Sequence, residues 1–293
     1  MPTHSFEHLL PTSWKSQVTA WLAEDTPSFD YGGYVVGEVE REAHLLGKGK
    51  TPAVLAGRPF VTEIFAQLGC SVEWLLEEGA IFEPIYHVAT VRGPVRQLLL
   101  GERVALNLLA RCSGIATKSM RIKDIATGHG YRGIIAGTRK TTPGFRLVEK
   151  YGMIVGGIDP HRHDLSSMIM LKDNHIWSCG SITAAINAAR AVGGFSLLLD
   201  VEVRSEEEAD EAIEAGADVV MLDNMEGDAL AGAARRLKKK WAGKRSFLFE
   251  SSGNITEANL CERAIPEIDI LSTSAVHQSV QHIDYSLKIQ MSE

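Results

Sequence analysis

A cluster of basic side chains occupies one stretch of the chain. Residues 139–172 contain six Lys or Arg against three Asp or Glu. The basic positions are 139, 140, 146, 150, 162 and 172. This excess favours an anionic substrate. Arginine suits a carboxylate especially well, because its planar fork of N–H groups binds both oxygens at once.

Two acidic residues follow in separate apolar runs. Glu202 lies inside DVEV, and Asp223 ends DVVMLD. Because Mg²⁺ is typically held by one or two carboxylates together with substrate oxygens, the pair predicts a magnesium site. Asp223 has an alternative role as the cap of the following helix. Glu202 is harder to explain structurally, since an acid that alternates within an apolar parallel strand would be buried.

Two small, hydroxyl-rich segments come last, each directly after an apolar run. Their residues are Ser252, Gly253, Asn254, Ser272, Thr273 and Ser274. Barrels commonly bind phosphate after their final strands, through backbone N–H groups and a helix N-terminus. An organic anion, a metal ion and a phosphate at one site are the ligands of a transferase that uses a phosphorylated sugar donor.

The second half of the chain must position these residues, and there short apolar runs alternate with helical segments. The six runs are GIIAG, SMIMLKDN, SLLLDVEV, DVVMLDN, SFLFESSGN and IDILSTS. Ser205 and Glu208 form a capping box at the start of one helix, and Ser181 and Thr256 are predicted to cap two others. Strands and helices alternating about every 25 residues predict parallel βα units, and six such units favour an α/β barrel.

The first part of the chain has a different pattern, in which helical spacing gives way to alternating, strand-like residues. Grouped helices and strands predict an α+β domain. We therefore expect an N-terminal α+β domain over residues 1–113 and a barrel over residues 114–276. The tail, residues 277–293, is expected to pack near the N-terminal domain. Between the domains, LLLGERVALNLLARCSGIATKSMRI predicts a long amphipathic helix with a break near Gly114.

Two long motifs carry a resemblance to a known family. GTRKTTPGFRLVEKYG and GGIDPHRHDLSSMIMLKDNHI closely resemble segments of quinolinate phosphoribosyltransferases, and the similarity covers about residues 54–290. The resemblance implies an open α/β barrel of parallel strands joined to an N-terminal α+β, sandwich-like domain. It also implies homo-oligomers built from dimers, as a homodimer or a hexamer. The implied reaction, with Mg²⁺, converts quinolinate and phosphoribosyl pyrophosphate to nicotinate mononucleotide, pyrophosphate and CO₂ in NAD biosynthesis.

The resemblance also assigns roles to individual residues. The residues that would hold the quinolinate carboxylates are Arg139, Lys140, His161, Arg162 and Lys172. Glu202 and Asp223 would face the ribose and the metal ion, and the two hydroxyl-rich segments would line the phosphate end. Arg103, in GERVALN, would reach into the partner subunit's site. Lys140 or Lys172 would assist decarboxylation or supply the final proton, and the sequence leaves that choice open.

The chain departs from the family pattern at four positions. The family often has Ser-Gly-Gly where this chain has Ser252-Gly253-Asn254, so the departure is at Asn254. Many members also have glycine at the position of Ser274. Many members also have lysine before the VEV strand and glutamate after it, whereas this chain has Asp200 and Arg204. Because asparagine tolerates a left-handed backbone, the turn at Asn254 is expected to survive. The departures affect the details of phosphate contact and not the reaction.

Composition argues against other classes of protein. The formal net charge of −7 disfavours a nucleic-acid-binding protein, and no apolar run reaches the ~18 residues that span a bilayer. The four cysteines lack metal-ligand spacing and fit a reducing compartment, so a cytoplasmic location is expected, with the nucleus as a second one. Two alternatives remain, a transferase for nicotinate that releases no CO₂ and a non-catalytic barrel that binds a macromolecule.

Overall fold

A computed structural model of the chain describes residues 5–223, 225 and 227–291. The chain divides into two compact units. The first lies within residues 1–119, 144–157 and 279–293, and the second within residues 120–143 and 158–278. No helix in the described ranges is both long and apolar enough to cross a membrane.

Helices and strands alternate along most of the described chain. The helices are α1 (Trp14–Asp25), α2 (Tyr31–Val36), α3 (Arg58–Gln67), α4 (Val95–Gly128), α5 (Arg146–Val155), α6 (Asp173–Cys179), α7 (Ile182–Gly193), α8 (Glu206–Ala215), α9 (Gly227–Trp241) and α10 (Leu260–Arg263). The strands are β1 (Glu40–Gly47), β2 (Ala53–Val54), β3 (Ser71–Trp74), β4 (Ile81–Phe82), β5 (Tyr86–Pro94), β6 (Ile134–Ala136), β7 (Ile169–Leu171), β8 (Leu199–Val203), β9 (Val219–Asp223), β10 (Leu248–Ser252), β11 (Ile270–Ser272) and β12 (Tyr285–Ile289). Short 3₁₀ helices cover Phe6–Leu9 and Ser274–Val276.

The first unit is built on a four-stranded antiparallel sheet with the order β12-β1-β5-β3. Strand β12 comes from the end of the chain and pairs with β1 in a register that sets Leu45 opposite Leu287. Both leucines are buried. Helix α5 also belongs to this unit, although the sequence prediction included its residues in the barrel. Its Tyr151 ring packs edge-on against Phe60 at a centroid distance of 5.2 Å, which explains the grouping.

The second unit contains a six-stranded parallel sheet with the order β6-β11-β10-β9-β8-β7. Consecutive strands from β7 to β11 are neighbours, and the last strand, β11, pairs with the first, β6. This cyclic order is that of a barrel opened between β6 and β7, which are its two edges. The predicted fold class, an open α/β barrel of parallel strands with an N-terminal α+β domain, is confirmed.

Local signals explain where several barrel helices begin and end. The Ser181 hydroxyl accepts a hydrogen bond from the Ala184 N–H, and the Ser205 hydroxyl accepts one from the Glu208 N–H at 3.1 Å. Helix α8 ends at Gly216, whose φ of 101° is left-handed. The caps predicted at Ser181 and Ser205 are therefore confirmed. The predicted cap at Thr256 is wrong, because α10 is a short helix with Asn259 at its N-cap.

Candidate functional site

Strand register places the predicted polar residues on one face of the barrel sheet. Glu202 and Glu250 both lie beside Met221, and Ser252 lies beside Asp223. Since side chains alternate along a strand and neighbours in register share a face, Asp223 lies on the same face as these three residues. They occupy the carboxyl ends of β8, β9 and β10, where barrel enzymes carry their chemistry.

The guanidinium groups of Arg139 and Arg162 lie close enough for their positive charges to repel each other on the basic side of this site. Burial lowers the pKa of Arg162, and the positive charge of the neighbouring Arg139 lowers it further. Arg162 Nη1 donates to the Met168 carbonyl at 3.2 Å. Arg139 Nε is buried and has no hydrogen-bond partner. An anion between the two groups would relieve their repulsion and use the unpaired donor.

The two lysines predicted at the site differ in their surroundings. The Lys172 ammonium pairs with the Glu202 carboxylate, and the side chain of Glu202 is only 15% exposed. Lys172 also precedes helix α6, and its backbone N–H donates to His175 Nδ1 at 3.0 Å. Lys140 is exposed, and its backbone N–H donates to Thr138 Oγ1 at 3.0 Å. His175 thus has a structural role at the start of α6.

His161 is fixed by contacts to both of its ring nitrogens. Its φ of 59° is left-handed, and its own N–H donates to Asp159 Oδ1 at 2.6 Å. The Arg162 N–H donates to Nδ1 at 2.7 Å, so a neutral ring carries its hydrogen on Nε2. Nε2 lies 3.3 Å from both carboxylate oxygens of Glu250. The imidazole therefore donates towards Glu250.

Asp200 and Glu250 are acidic residues of the site that the sequence prediction did not assign. Asp200 is fully buried, and neither of its carboxylate oxygens has a hydrogen-bond partner. Burial raises the pKa of Asp200 well above its ordinary value, and the charge of Glu250 raises it further. Only the position of Asp200 in the VEV strand and its departure from the family pattern marked it in the sequence.

The ligand atoms of His161, Asp200 and Glu250 all lie within 4.8 Å of one another. These are donor types that metal sites use. However, the hydrogen on His161 Nε2 points into the cluster, and a nitrogen that carries hydrogen is not a ligand. The geometry therefore disfavours a metal ion at this position.

The segment after β10 turns tightly through two residues with a left-handed backbone. Gly253 has a φ of 91° and Asn254 a φ of 52°, so two successive residues are left-handed. The departure at Asn254 is therefore accommodated, because asparagine tolerates this region better than other side chains do. Ser252 ends β10 and is partly exposed at the carboxyl edge of the sheet.

The second hydroxyl-rich segment is tied into the protein by its side chains. The Ser272 hydroxyl donates to the Glu250 carboxylate. The Thr273 hydroxyl donates to the Ile255 carbonyl at 2.6 Å and accepts from the Ala275 N–H at 3.0 Å. Ser274 opens the short 3₁₀ helix and stays partly exposed. Ser272 and Thr273 thus bond to strand β10 and to the segment that follows it, while Ser274 stays partly exposed.

The remaining predicted residues lie in different places. Asp223 ends β9 and is partly exposed. Arg103 lies in α4, within the part of that helix that belongs to the first unit, and is exposed. Sequence analysis also missed His277, a fully buried residue whose Nε2 lies 3.0 Å from Thr138 Oγ1. It follows the Ser272–Ser274 segment by three residues, and no local signal marks it.

An open parallel barrel whose carboxyl edge combines two partly buried arginines, several acids and a tight turn defines an enzyme for anionic, phosphorylated substrates. Residues 30–113 match the N-terminal domain of quinolinate phosphoribosyl transferase, and residues 115–288 match its C-terminal domain. The chain belongs to the quinolinate phosphoribosyltransferase family.

Relatives support this membership over nearly the whole chain. A nicotinate-nucleotide pyrophosphorylase (carboxylating) of Dictyostelium discoideum is 50% identical over 288 residues, covering 93% of this chain and 94% of the relative. The human protein of the same name is 47% identical over 281 residues, covering 96% and 93%. The structure of nicotinate-nucleotide pyrophosphorylase from Francisella tularensis has 29% identity and a TM-score of 0.88, covering 99% of this chain and all of that one.

Proposed function

We propose that this chain transfers the phosphoribosyl group of phosphoribosyl pyrophosphate to quinolinate. The reaction releases pyrophosphate and CO₂ and forms nicotinate mononucleotide for NAD biosynthesis. Family membership supports the reaction. The observation at the site that supports the proposal is the pair of guanidinium groups of Arg139 and Arg162. The Nε of Arg139 is buried and has no hydrogen-bond partner. A dianion such as quinolinate would satisfy both groups.

The basic side of the site is proposed to bind the two carboxylates of quinolinate. Arg139 and Arg162 supply two guanidinium charges, Lys140 adds an exposed ammonium group, and Lys172 adds one that pairs with Glu202. His161, oriented by its contacts to Glu250 and the Arg162 N–H, completes the set. Because several cations converge, an acid with two carboxylates binds better than nicotinate, which has only one.

Glu202 and Asp223 fit a Mg²⁺ ion by the chemistry of their donors. Both carboxylates lie on one face of neighbouring strands, and both are at least partly accessible. Glu202 already pairs with Lys172, so this carboxylate is held in place before any ligand binds. A bound Mg²⁺ would neutralise charge on the pyrophosphate leaving group. The two acids would also stabilise positive charge that develops on the ribose.

The pyridine nitrogen of quinolinate acts as the nucleophile, so the protein needs none of its own. The basic side chains hold the ring so that this nitrogen faces the ribose carbon. Once the nitrogen is quaternised, its positive charge stabilises a carbanion at the adjacent ring carbon, which permits loss of CO₂. Lys140 or Lys172 then steers this step or donates the proton that replaces the carboxylate.

The hydroxyl-rich segments are proposed to bind the phosphate of the ribose donor. The residues concerned are Ser252, Gly253, Asn254, Ser272, Thr273 and Ser274. Ser252 and Ser274 are partly exposed, which supports this role, since hydroxyl and backbone N–H groups are the donors that a phosphate accepts. The bonds of the Thr273 hydroxyl to Ile255 and Ala275 give this residue mainly a part in shaping the site.

The functional form is proposed to be a homo-oligomer built from dimers, in which Arg103 completes the partner's site. The exposure of Arg103 supports its availability to another subunit. A cytoplasmic location, with the nucleus as a second one, is also proposed. All four cysteines are free, as expected in a reducing compartment.

The proposal is tested with purified protein, quinolinate, phosphoribosyl pyrophosphate and Mg²⁺, with products separated by chromatography. The expected product is nicotinate mononucleotide, and nicotinate in place of quinolinate should give little. Reactions without Mg²⁺, or with the Arg139→Ala variant, serve as controls. A preparation that is folded but forms nucleotide only from nicotinate would contradict the proposal.

A further inference from the structure

Three carbonyl groups of the turn after β10 accept hydrogen bonds from side chains. Arg263 Nη1 donates to the Ser252 carbonyl at 2.7 Å, and Asn259 Nδ2 donates to the Asn254 carbonyl at 3.0 Å. The Thr273 hydroxyl takes the Ile255 carbonyl. Three of four successive carbonyls thus accept hydrogen bonds, two from the short helix α10 and its N-cap and one from Thr273.

Arg263 has an unusual position for an arginine. It is 2% exposed and is among the largest fully buried side chains of the described residues. Burying a guanidinium is costly unless it is paired or hydrogen-bonded. Its donation to Ser252 links the short helix α10 to the turn, so the buried charge lies beneath the segment proposed to bind phosphate.

Asn259 anchors the other side of the same turn. Besides its donation to Asn254, its Oδ1 accepts a hydrogen bond from the Thr256 N–H at 2.7 Å. The side-chain amide therefore bridges Asn254 and Thr256 at the C-terminal end of the turn. Asn259 is only partly buried, so its replacement removes these bonds without leaving a buried charge.

The direction of the carbonyls determines the direction of the N–H groups. In a trans peptide the C=O and the N–H point in opposite directions. With the Ser252 and Asn254 carbonyls turned towards Arg263 and Asn259, the N–H groups of Gly253 and Ile255 turn the other way. Gly253 and Asn254 both have a positive φ, so the chain turns tightly between these two N–H groups.

We infer that Arg263 and Asn259 are positioning residues that hold the turn over residues 252–255 in the conformation that binds the phosphate of the sugar donor. The inference rests on the proposed function and names how the phosphate end is assembled. Neither side chain needs to touch the substrate, because both act on the carbonyl side of the turn. The positive charge of Arg263 also favours an anion on the N–H side.

The test compares Asn259→Ala and Arg263→Lys with Asn187→Ala, a matched control on the exposed face of α7. Calorimetry measures the binding of phosphoribosyl pyrophosphate with Mg²⁺ and, separately, of quinolinate. Losing a hydrogen bond that orders the turn should weaken donor binding about fivefold or more. Quinolinate binding should stay within about twofold of wild type, and the control should match wild type for both ligands.

Steady-state kinetics provide a second readout. The KM for phosphoribosyl pyrophosphate should rise while kcat and the KM for quinolinate change little, a split that general destabilisation would not produce. If Arg263→Lys fails to fold, Asn259→Ala decides the question. Donor binding that is unchanged in Asn259→Ala, or that falls together with quinolinate binding, would overturn the inference and leave the proposed function standing. Wild-type protein that binds no phosphoribosyl pyrophosphate would overturn both.

Discussion

Basic and acidic side chains occupy different parts of the site. Arg139 and Arg162 lie on the basic side, where burial and mutual repulsion lower the pKa of Arg162. The acids follow on β8 to β10, and Glu202 is already paired with Lys172. Quinolinate binding would add negative charge where positive charge is in excess, which makes the arginines the first residues to test.

Arg139→Ala should weaken quinolinate binding strongly. Removing one partner of a desolvated carboxylate costs about 2–5 kcal/mol, because the remaining charge is left unpaired. Calorimetry should show this loss for quinolinate and a much smaller one for phosphoribosyl pyrophosphate. Arg132→Ala, an exposed arginine near the start of β6, is the matched control and should bind both ligands normally. Equal losses for the two ligands would contradict the division of the site.

Glu202→Gln and Asp223→Asn should each lower turnover while the fold stays intact. Carboxylates that face the metal ion and the ribose act mainly in the transition state, so kcat should fall more than substrate affinity. The measurement is kcat across a Mg²⁺ titration. Glu207→Gln and Asp228→Asn change exposed acids on the adjacent helices and should behave as wild type. Wild-type turnover in Asp223→Asn would make Asp223 only a structural cap.

At the level of elements, the predictions that succeeded rest on local chemistry. All six apolar runs of the second half form strands, because short apolar segments bounded by turn residues suit a buried parallel sheet. Helix α4 is continuous through Gly114, where a break was expected. A Cβ at Gly114 would lie 2.5 Å from the Gln281 carbonyl oxygen, so the glycine serves a close approach between segments far apart in sequence.

Residues of the candidate site could be predicted from the sequence where the residue type alone indicates a chemical role. Arg139 and the serine-rich turns could be chosen because they follow predicted strands, Glu202 because it is an acid inside an apolar run, and Arg162 because it lies in the basic stretch that resembles the family. Asp200 could not be assigned, since its role depends on the distance to Glu250, which register sets. Arg263 was missed for the same reason, because a basic residue in a polar segment gives no sign that it is buried.

The carboxyl group of Glu78 binds the start of helix α3 and makes the stability of the protein depend on pH. Both carboxylate oxygens of Glu78 accept backbone hydrogen bonds, from Gly57 N–H at 2.6 Å and from Arg58 N–H at 3.0 Å. Burial of the carboxyl group nevertheless raises the pKa of Glu78 to about 7. Because the folded state binds this proton more tightly than the unfolded state, the stabilising contribution is complete below about pH 4.5 and is lost as the pH rises to about 7.

Glu78→Gln should therefore flatten the pH dependence of stability between pH 5 and 7.5. The raised pKa corresponds to about 3 kcal/mol, and the Gln side chain is neutral at every pH. Thermal melts at the two pH values should show a larger loss of Tm for wild type than for the variant. Glu77→Gln, whose side chain is 92% exposed, is the adjacent control and should follow wild type. Parallel curves for wild type and Glu78→Gln would contradict this assignment.

At the scale of the whole molecule, distant segments of the chain combine. Strand β12, near the end of the chain, completes the sheet of the first unit by pairing with β1. The helix α5 lies between two strands of the barrel in sequence but groups with the first unit. Such long-range pairing depends on register and packing, so local patterns predict the elements better than their partners.

Shared active sites predict complementation between two inactive variants, Arg103→Ala and Lys140→Ala. In a mixed dimer, one site receives both intact residues and the other site receives both defects. Random reassortment makes about half of the dimers mixed, so activity should recover to about a quarter of wild type. Coexpression with two different tags forms and identifies the mixed dimers. Mixed dimers without activity would show that Arg103 serves its own subunit or only the fold.

The central claim is that one site couples phosphoribosyl transfer to the loss of a particular carboxylate. Quinolinate labelled in either its 2-carboxyl or its 3-carboxyl group, with phosphoribosyl pyrophosphate and Mg²⁺, tests it most directly. Only the carboxylate beside the quaternised nitrogen is activated, so the 2-label should leave as one CO₂ per nucleotide and per pyrophosphate. The 3-label should remain in the nucleotide. Nucleotide formed with both labels retained, or formed only from nicotinate, would contradict the account.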